Sequence, residues 1–357
     1  MNFFKNVLAS LLGLIIFTFI SFLILIGIGT AGEGEKRVNV EPSSILHINL
    51  SGILQERTVE DPLRDLFPEV AVREIGLHDL VSTIQHSKED ERIKGIYLDH
   101  KFLSGGFASL KEIRDILIDF KSSGKTIYAY GEYLSEGDYY LASVADIFFL
   151  HPEGSLEFNG LMANITFFKG LFEKLEIQPE IFRVGAFKSA VEPYLRKNMS
   201  SENRFQYTSL LNNIYDIYLN DVSLSRDIQK GNLLRYSKEL QVQVPEDAYR
   251  LKLVDSLGYK DELKSLIAAD LGIEEISDIN FISFQNYKKS HKKKYARDKI
   301  AVVYANGPIV MAGDDTQVVG YKIATEIRKA RENKSVKAIV LRVNSPGGSL
   351  LASDLIW

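Results

Sequence analysis

The sequence predicts an α/β protein with a mostly parallel sheet, duplicated along the chain and preceded by one membrane-spanning helix. Three observations predict this. Strand-like apolar runs alternate with helical patterns at the spacing of βα units. The stretch 93–113, IKGIYLDHKFLSGGFASLKEI, has a counterpart at 336–356, VKAIVLRVNSPGGSLLASDLI, and HINLSGIL at 47–54 has one in VVYANGPIV at 302–310. The two matches come in the same order, about 245 to 255 positions apart, too long for a solenoid period and suited to a duplicated domain. The third observation is an N-terminal stretch, 6–32, without one charged residue.

Within that stretch, 7–28 is almost wholly apolar. Twenty-odd such residues cross a hydrocarbon core of about 30 Å, whereas the apolar region of a cleavable signal peptide has roughly 7–15. An uncleaved anchor over 1–32 is expected. Lys5 and the α-amino group lie on its short side, while Glu33 and Glu35 lead the long side, followed by Lys36 and Arg37. The positive-inside rule places Met1 in the cytoplasm and the globular part outside.

A polar spacer at 31–42 leads to a strand at 45–50. The segment 61–68, with two prolines, reads as a loop. Leu77, Leu80, Val81 and Ile84 give helical spacing over 77–86. The apolar run 93–98 is a buried strand broken by Ser104-Gly105-Gly106. Leu110, Ile113, Ile116, Leu117 and Phe120 form the stripe of a helix over 110–120. A strand at 126–131, a helix at 139–145 and a strand at 147–150, ended by His151-Pro152, complete the first run. Helices are expected at 160–175, at 200–222 with Ser200 as N-cap, at 248–257 and at 260–271. The basic run YKKSHKKKYARDK at 287–299 reads as a solvated linker. The expected organisation is therefore an anchor at 1–32, a first domain at 33–286, a linker at 287–299 and the start of a second domain at 300–357. The first copy has about 240 residues to itself and the second about 60, so the second is expected to be cut short and to be only partly ordered or to pack as an appendage.

Composition narrows the chemistry. The chain has 357 residues, 45% hydrophobic and 25% charged, with net charge −4, which gives no reason to expect a nucleic-acid partner. It has no cysteine, so thiol catalysis and disulfides are excluded. No HExxH occurs, the six histidines do not pair at metal spacing, and neither GxGxxG nor a Walker A pattern is present. No metal and no cofactor are expected.

Two segments carry candidate chemistry. In Asn344-Ser345-Pro346-Gly347-Gly348-Ser349, Pro presets a turn and two glycines let the backbone approach a ligand. Successive N–H groups there can hold an oxyanion, or the segment is a tight strand-to-helix turn only. Ser345 and Ser349 lack the GxSxG elbow of a serine nucleophile. In Val184-Gly185-Ala186-Phe187-Lys188-Ser189-Ala190-Val191-Glu192-Pro193, one lysine stands among apolar and small residues. Burial would lower its basicity and make it a general base; a snorkelling lysine or a Lys188–Glu192 surface pair is the alternative.

The pieces RVGAFKSAVEPY, YGEYLSEGDYYLAS and LRVNSPGGS, in this order behind an anchor, resemble the long form of signal peptide peptidase A, also called protease IV. The resemblance runs from the anchor to Trp357. It implies two tandem domains of the Clp protease/crotonase type and a membrane-bound Ser-Lys endopeptidase that degrades cleaved signal peptides and other short unfolded peptides. It implies a single-pass protein of the cytoplasmic membrane, its globular part on the extracytoplasmic side, and homo-oligomeric rings. The matching positions make Lys188 the general base and put Gly347 and Gly348 in the oxyanion loop. The family's nucleophile lies in an A-A-S-G-G-Y type segment downstream of N-S-P-G-G, which is absent here. Aligned on the tyrosine, Glu136 takes the nucleophile's place in the first copy, and Ser135 is one residue off. The chain is therefore expected to be inactive alone. Two other classes are weighed beside this one: a non-catalytic, membrane-anchored peptide-binding scaffold and an acyl-CoA enzyme of the crotonase superfamily.

Overall fold

A computed structural model describes residues 2–32, 38–58, 73–290, 296–314 and 316–357. The N-terminal helix α1 (Asn2–Gly32) contains an apolar window, Phe3–Phe22, that no other described part of the chain covers. Its 31 residues reach about 46 Å, enough to cross a bilayer.

The sheet that follows is parallel throughout. β1 (Ser44–Gln55), β2 (Glu74–Gly76), α2 (Leu77–Glu89), β3 (Ile93–Ser104), α3 (Phe107–Lys121), β4 (Thr126–Leu134), α4 (Glu136–Ala142) and β5 (Ile147–Leu156) come first. After them come α5 (Lys169–Lys174), α6 (Glu192–Leu195), α7 (Ser201–Arg226), α8 (Lys230–Lys238) and α9 (Pro245–Arg250). The unit closes with β6 (Ser256–Leu257), α10 (Lys260–Leu271), β7 (Phe281–Ser283) and α11 (Phe284–Ser290). The strand order is β2-β1-β3-β4-β5-β6, and β7 also pairs β1. The register runs Ile48↔Leu98, Leu98↔Ala129 and Ala129↔Phe148.

Period-two alternation sends successive side chains to opposite faces, and both faces are buried, as a parallel sheet requires. Leu46, Leu98, Ile127 and Phe148 face one core with helices α2, α3 and α7, while Ile45, Tyr97, Tyr128 and Tyr130 face a second with Leu263 and Ile267 of α10. Arg114 of α3, fully buried, fastens α7 to the first core. It donates to Ser143 Oγ at 2.7 Å and to Asp221 O at 2.7 Å, and its guanidinium sits 4.6 Å from the Tyr140 ring centroid.

The side chain of Asp99 in β3 is buried beside His47 (3.5 Å) and Lys260 (2.9 Å). Burial pushes its pKa up, but these two partners outweigh it and hold the carboxyl at about 2. A carboxyl held below its unfolded value stabilises the fold above the unfolded pKa and loses that contribution as pH falls through the folded pKa. The contribution is on the order of 2 kcal/mol. The expected outcome is that the stability gap between wild type and Asp99→Asn, read from urea unfolding, narrows between about pH 5 and pH 2. A gap that stays constant over that range would contradict it.

Residues 299–357 repeat the opening order. β8 (Lys299–Asn306) with β9 (Ile309–Val310), then β10 (Val318–Val319), α12 (Gly320–Glu332), β11 (Val336–Asn344) and α13 (Leu350–Ile356) follow one another as β1, β2, α2, β3 and α3 do, β8 and β9 together standing for β1. β11 pairs β8 in parallel with Leu341↔Val303, matching β3 on β1. Each first strand runs into a glycine at positive φ, Gly52 (+93°) and Gly307 (+96°), packed against a backbone carbonyl, Arg73 O or Thr316 O. This unit packs α12 and α13 on each other and on its strands, and leaves Val340 and Val343 of β11 exposed. It touches the first unit where Arg342 pairs with Glu56 and, at 2.9 Å, with Glu112.

Several expected boundaries shift. β5 continues through His151-Pro152 to Leu156: the ladder to β4 is irregular between Gly131 and Tyr133, and a proline's missing N–H is tolerated there. The helix expected at 160–175 is only Lys169–Lys174, and that expected at 248–257 is Pro245–Arg250 followed by strand β6. The linker expected from 287 begins inside α11, whose Tyr287 is buried in the first core. The loop expected at 61–68, residues 33–37 of the spacer expected at 31–42 and the centre of the linker lie outside the described residues, and the spacer's first two residues belong to α1.

Candidate active site

Lys188 lies on a long excursion from the sheet. After β5 the chain buries Phe158, then turns at Gly160 (φ +93°) and leaves the core. Between 161 and 199 the single buried residue is Glu192. The excursion is held internally by rings, Phe168 on Tyr194 at 6.0 Å and Phe172 on Tyr194 at 6.1 Å, and by the Phe168 N–H donating to Pro193 O at 2.7 Å. It returns through α7, whose N-cap Ser200 accepts from the Asn203 N–H at 3.1 Å.

Lys188 precedes a single 3₁₀ turn, Ser189–Val191, and its carbonyl accepts from Arg183 at 3.4 Å. It lines a groove of about 730 Å³ together with Phe182, Val184, Phe187, Ser189 and Leu210. The groove is apolar, as expected of a segment with so many small and aromatic residues, but it is open. Phe182 is 95% exposed and Val184 89%, and Lys188 itself is exposed. The burial that the apolar sequence suggested for this lysine is therefore not supplied by the described residues, since none of them forms a layer above the excursion. The Lys188–Glu192 pair does not carry Glu192 either, because its Oε2 accepts from the Ser200 N–H (3.0 Å) and Asn203 Nδ2 (2.9 Å). Burial alone would raise the pKa of Glu192, but these bonds outweigh it and the net shift is downward.

Gly347 and Gly348 form the turn between β11 and α13. Gly347 takes φ +100°, and its N–H donates to Ser345 Oγ at 3.1 Å. Gly348 pairs in parallel with Ile309: the Ile309 N–H donates to Gly347 O (3.0 Å) and the Ser349 N–H to Ile309 O (2.9 Å). In such pairing the N–H of Gly348 itself points away from Ile309. The groove lining is drawn from 182–210 alone, so Lys188 and the two glycines are not brought into one site.

Each serine weighed from the sequence has structural work. Ser135 caps α4 and donates to Asp138 Oδ2 at 2.6 Å, while Ser345 accepts from Gly347 and Ser349 caps α13, accepting from the Ala352 N–H at 3.3 Å. His100, Asp138 and Ser135 are neighbours, with His100 Nδ1 3.8 Å from Asp138 Oδ1. They are not a triad, because the carboxylate stands between hydroxyl and imidazole and no Ser–His bond forms. Burial raises the pKa of Asp138, but the contacts with His100, Ser135 and the Leu103 N–H more than offset it. Glu136 is buried, and its Oε1 accepts from the N–H groups of Asn159 (2.8 Å) and Gly160 (2.6 Å). Burial pushes its pKa up, and the two backbone bonds only partly offset that. Reading the sequence for chemistry missed the anchoring work of Glu136 and Glu192. The S-x-x-D spacing of Ser135 and Asp138 was a legible capping signal.

A parallel sheet flanked by helices, a glycine turn at a strand's C-terminal end and a leading apolar helix define an α/β protein with a candidate membrane anchor. Residues 119–274 match Peptidase family S49, and the resemblance to signal peptide peptidase A is borne out. "Protease 4" of Haemophilus influenzae is 34% identical over 358 residues, 95% of this chain and 58% of that protein. "Protease 4" of Salmonella typhi is 34% identical over 359 residues, with the same two shares. "Serine protease SPPA, chloroplastic" of Arabidopsis thaliana is 30% identical over 329 residues, 89% of this chain and 47% of that protein. The chain thus spans about half the length of the curated relatives it matches. Among solved structures, a peptidase from Plasmodium falciparum has a TM-score of 0.33 and 12% identity, covering 60% of this chain and 94% of that one. That likeness is too slight to argue from.

Proposed function

We propose that residues 1–357 supply the general base, Lys188, and an oxyanion turn, Gly347-Gly348, to a membrane-anchored Ser-Lys endopeptidase built from two tandem domains. Its substrates are cleaved signal peptides and other short unfolded peptides. The observation that carries this reading is Lys188 on the wall of an open apolar groove, within the region that matches a peptidase family. In the reaction, neutral Lys188 Nζ takes the proton of a serine hydroxyl as its oxygen attacks the peptide carbonyl. The Gly348 N–H, aimed away from Ile309, holds the oxyanion. Nζ then gives the proton to the leaving amine, and water releases the acyl group by the same steps. The resemblance to signal peptide peptidase A implies that the hydroxyl comes from a segment downstream of Asn344-Ser345-Pro346-Gly347-Gly348, and the serines weighed here, Ser135, Ser345 and Ser349, serve as caps or turn acceptors. Covering of the groove, by the remaining protein or a neighbouring copy in a ring, desolvates the lysine. Helix α1 holds the assembly in the cytoplasmic membrane with the groove on the extracytoplasmic side.

The test is a fluorophosphonate probe applied to the chain of 357 residues. No acylation is expected, and clear labelling at Ser135, Ser345 or Ser349 would overturn the division of labour. The exposed aromatic groove also favours a second reading, a scaffold that binds peptides without turnover. In that case Lys188→Ala would leave peptide affinity unchanged and no peptide would be cut by the complete gene product.

A further inference from the structure

We infer that Glu136 and Glu192 form a two-point clamp that positions the Lys188-bearing excursion, each through one carboxylate oxygen accepting two N–H groups at a root of that excursion. At the outgoing root, Glu136 Oε1 takes the N–H groups of Asn159 and Gly160, where the chain turns out of the core. At the returning root, Glu192 Oε2 takes the Ser200 N–H and Asn203 Nδ2, on the first turn of α7. Arg183 lies 3.7 Å from the other oxygen of Glu192, so the same carboxylate also holds the strand of chain leading into Lys188.

The arrangement follows from what the excursion lacks. With Glu192 as the one buried residue between 161 and 199, no hydrophobic core of its own fixes its place. Apolar burial is non-directional, whereas a carboxylate accepting two N–H groups fixes both distance and angle. Both carboxylates are buried, Glu136 at 8% and Glu192 at 1% exposure, so water competes weakly for these bonds. Glu136 belongs to α4, packed in the first core, and therefore ties the outgoing root to the rigid sheet. Asn203 is buried in α7, which Arg114 fastens to the same core, so the returning root is tied there too. Lys188 stands four positions before Glu192, close enough in chain for the clamp to set its place on the groove wall. Glu136 and Glu192 touch no reacting atom and act as positioning residues; their functional meaning rests on Lys188 being the base.

The test is amide hydrogen exchange on the full chain in detergent micelles, with limited proteolysis beside it. Glu136→Ala is expected to speed exchange at 159 and 160, and Glu192→Ala at 200, by at least about tenfold. Both should open 161–199 to protease while amides of β3 and β4 keep their protection. Glu136→Gln keeps an oxygen that accepts the same two N–H groups and is expected to restore both readouts. Glu136→Asp keeps the charge but withdraws the oxygen by one methylene, and should loosen the root as alanine does. Unchanged exchange in the alanine variants would overturn the clamp. So would a glutamine or aspartate variant whose loosening spreads equally over β3 and β4. The clamp and the base fail separately: these exchange rates do not depend on whether Lys188→Met abolishes hydrolysis.

Discussion

Lys188→Met is expected to lower peptide hydrolysis by the complete gene product by about 10²–10⁴-fold, the range that a positioned general base contributes. It should do so with almost no effect on stability. Lys188 is exposed, caps nothing with its side chain, and lies outside both cores, so a surface-type change within about 0.5 kcal/mol is expected. The sharper variant is Lys188→Arg. Arginine keeps the charge, the length and any snorkelling role, but it does not deprotonate in a protein and cannot accept the serine proton. It should be as inactive as methionine. The measurement is hydrolysis of a fluorogenic apolar peptide, with thermal unfolding of each variant as control. An arginine variant that retains a tenth or more of wild-type activity would show that the cation, and not the base, is what the groove uses.

The outcome also depends on the groove being covered. Phe182 and Val184 stand almost wholly in solvent, and a lysine on such a wall has water for a partner. Only when those side chains are covered does Nζ lose hydration, and the charged form then becomes the costly one. Groove covering and base strength are therefore one event. Peptide variants that fill the groove poorly should lower the rate of acylation as well as affinity.

The βα core was legible because its signals are local. The run IKGIYL is apolar at every position except Lys94 and Tyr97, and that continuity marks a strand buried on both faces. The stripe from Leu110 to Phe120 has the period of a helix on that sheet, and Ser200 announced α7 by cap chemistry. The excursion was not legible in the same way. Apolar residues at 161–175 have helical spacing, yet 161–168 takes no regular structure and none of the stretch is buried, because helical spacing alone does not supply the packing that stabilises a helix. The position of Lys188 was readable from its motif, and its exposure was not, since exposure depends on what lies above the groove. The work of Glu136 and Glu192 was hidden for a related reason. A carboxylate's partners here are backbone N–H groups 8 to 24 positions away, and backbone groups leave no mark in sequence.

Gly348→Ala is expected to be the costliest single methyl in residues 299–357. A Cβ there would lie 2.0 Å from Ile309 O and 2.8 Å from its C and N, all backbone atoms that no rotamer change can move. Relief requires β9 to separate from the turn, breaking the bonds of Ile309 to Gly347 O and from Ser349 to Ile309 O. Overpacking of this kind costs about 2–3 kcal/mol. Gly347→Ala is the internal comparison. Nothing lies within 4 Å of its added Cβ, but φ of +100° strains any L side chain, for a cost of about 1 kcal/mol. Hydrogen exchange of the β8 and β11 amides reads both, and the ranking 348 above 347 is the prediction. The consequence for chemistry follows from the same geometry. Pairing with Ile309 is what aims the Gly348 N–H away from the strand, so a displaced turn misdirects the donor that would face an oxyanion, and acylation should fall together with stability. A Gly348→Ala protein with wild-type exchange in β8 and β11 would mean that the turn does not hold Ile309 as tightly as the close approach requires, and the oxyanion role would lose its structural basis.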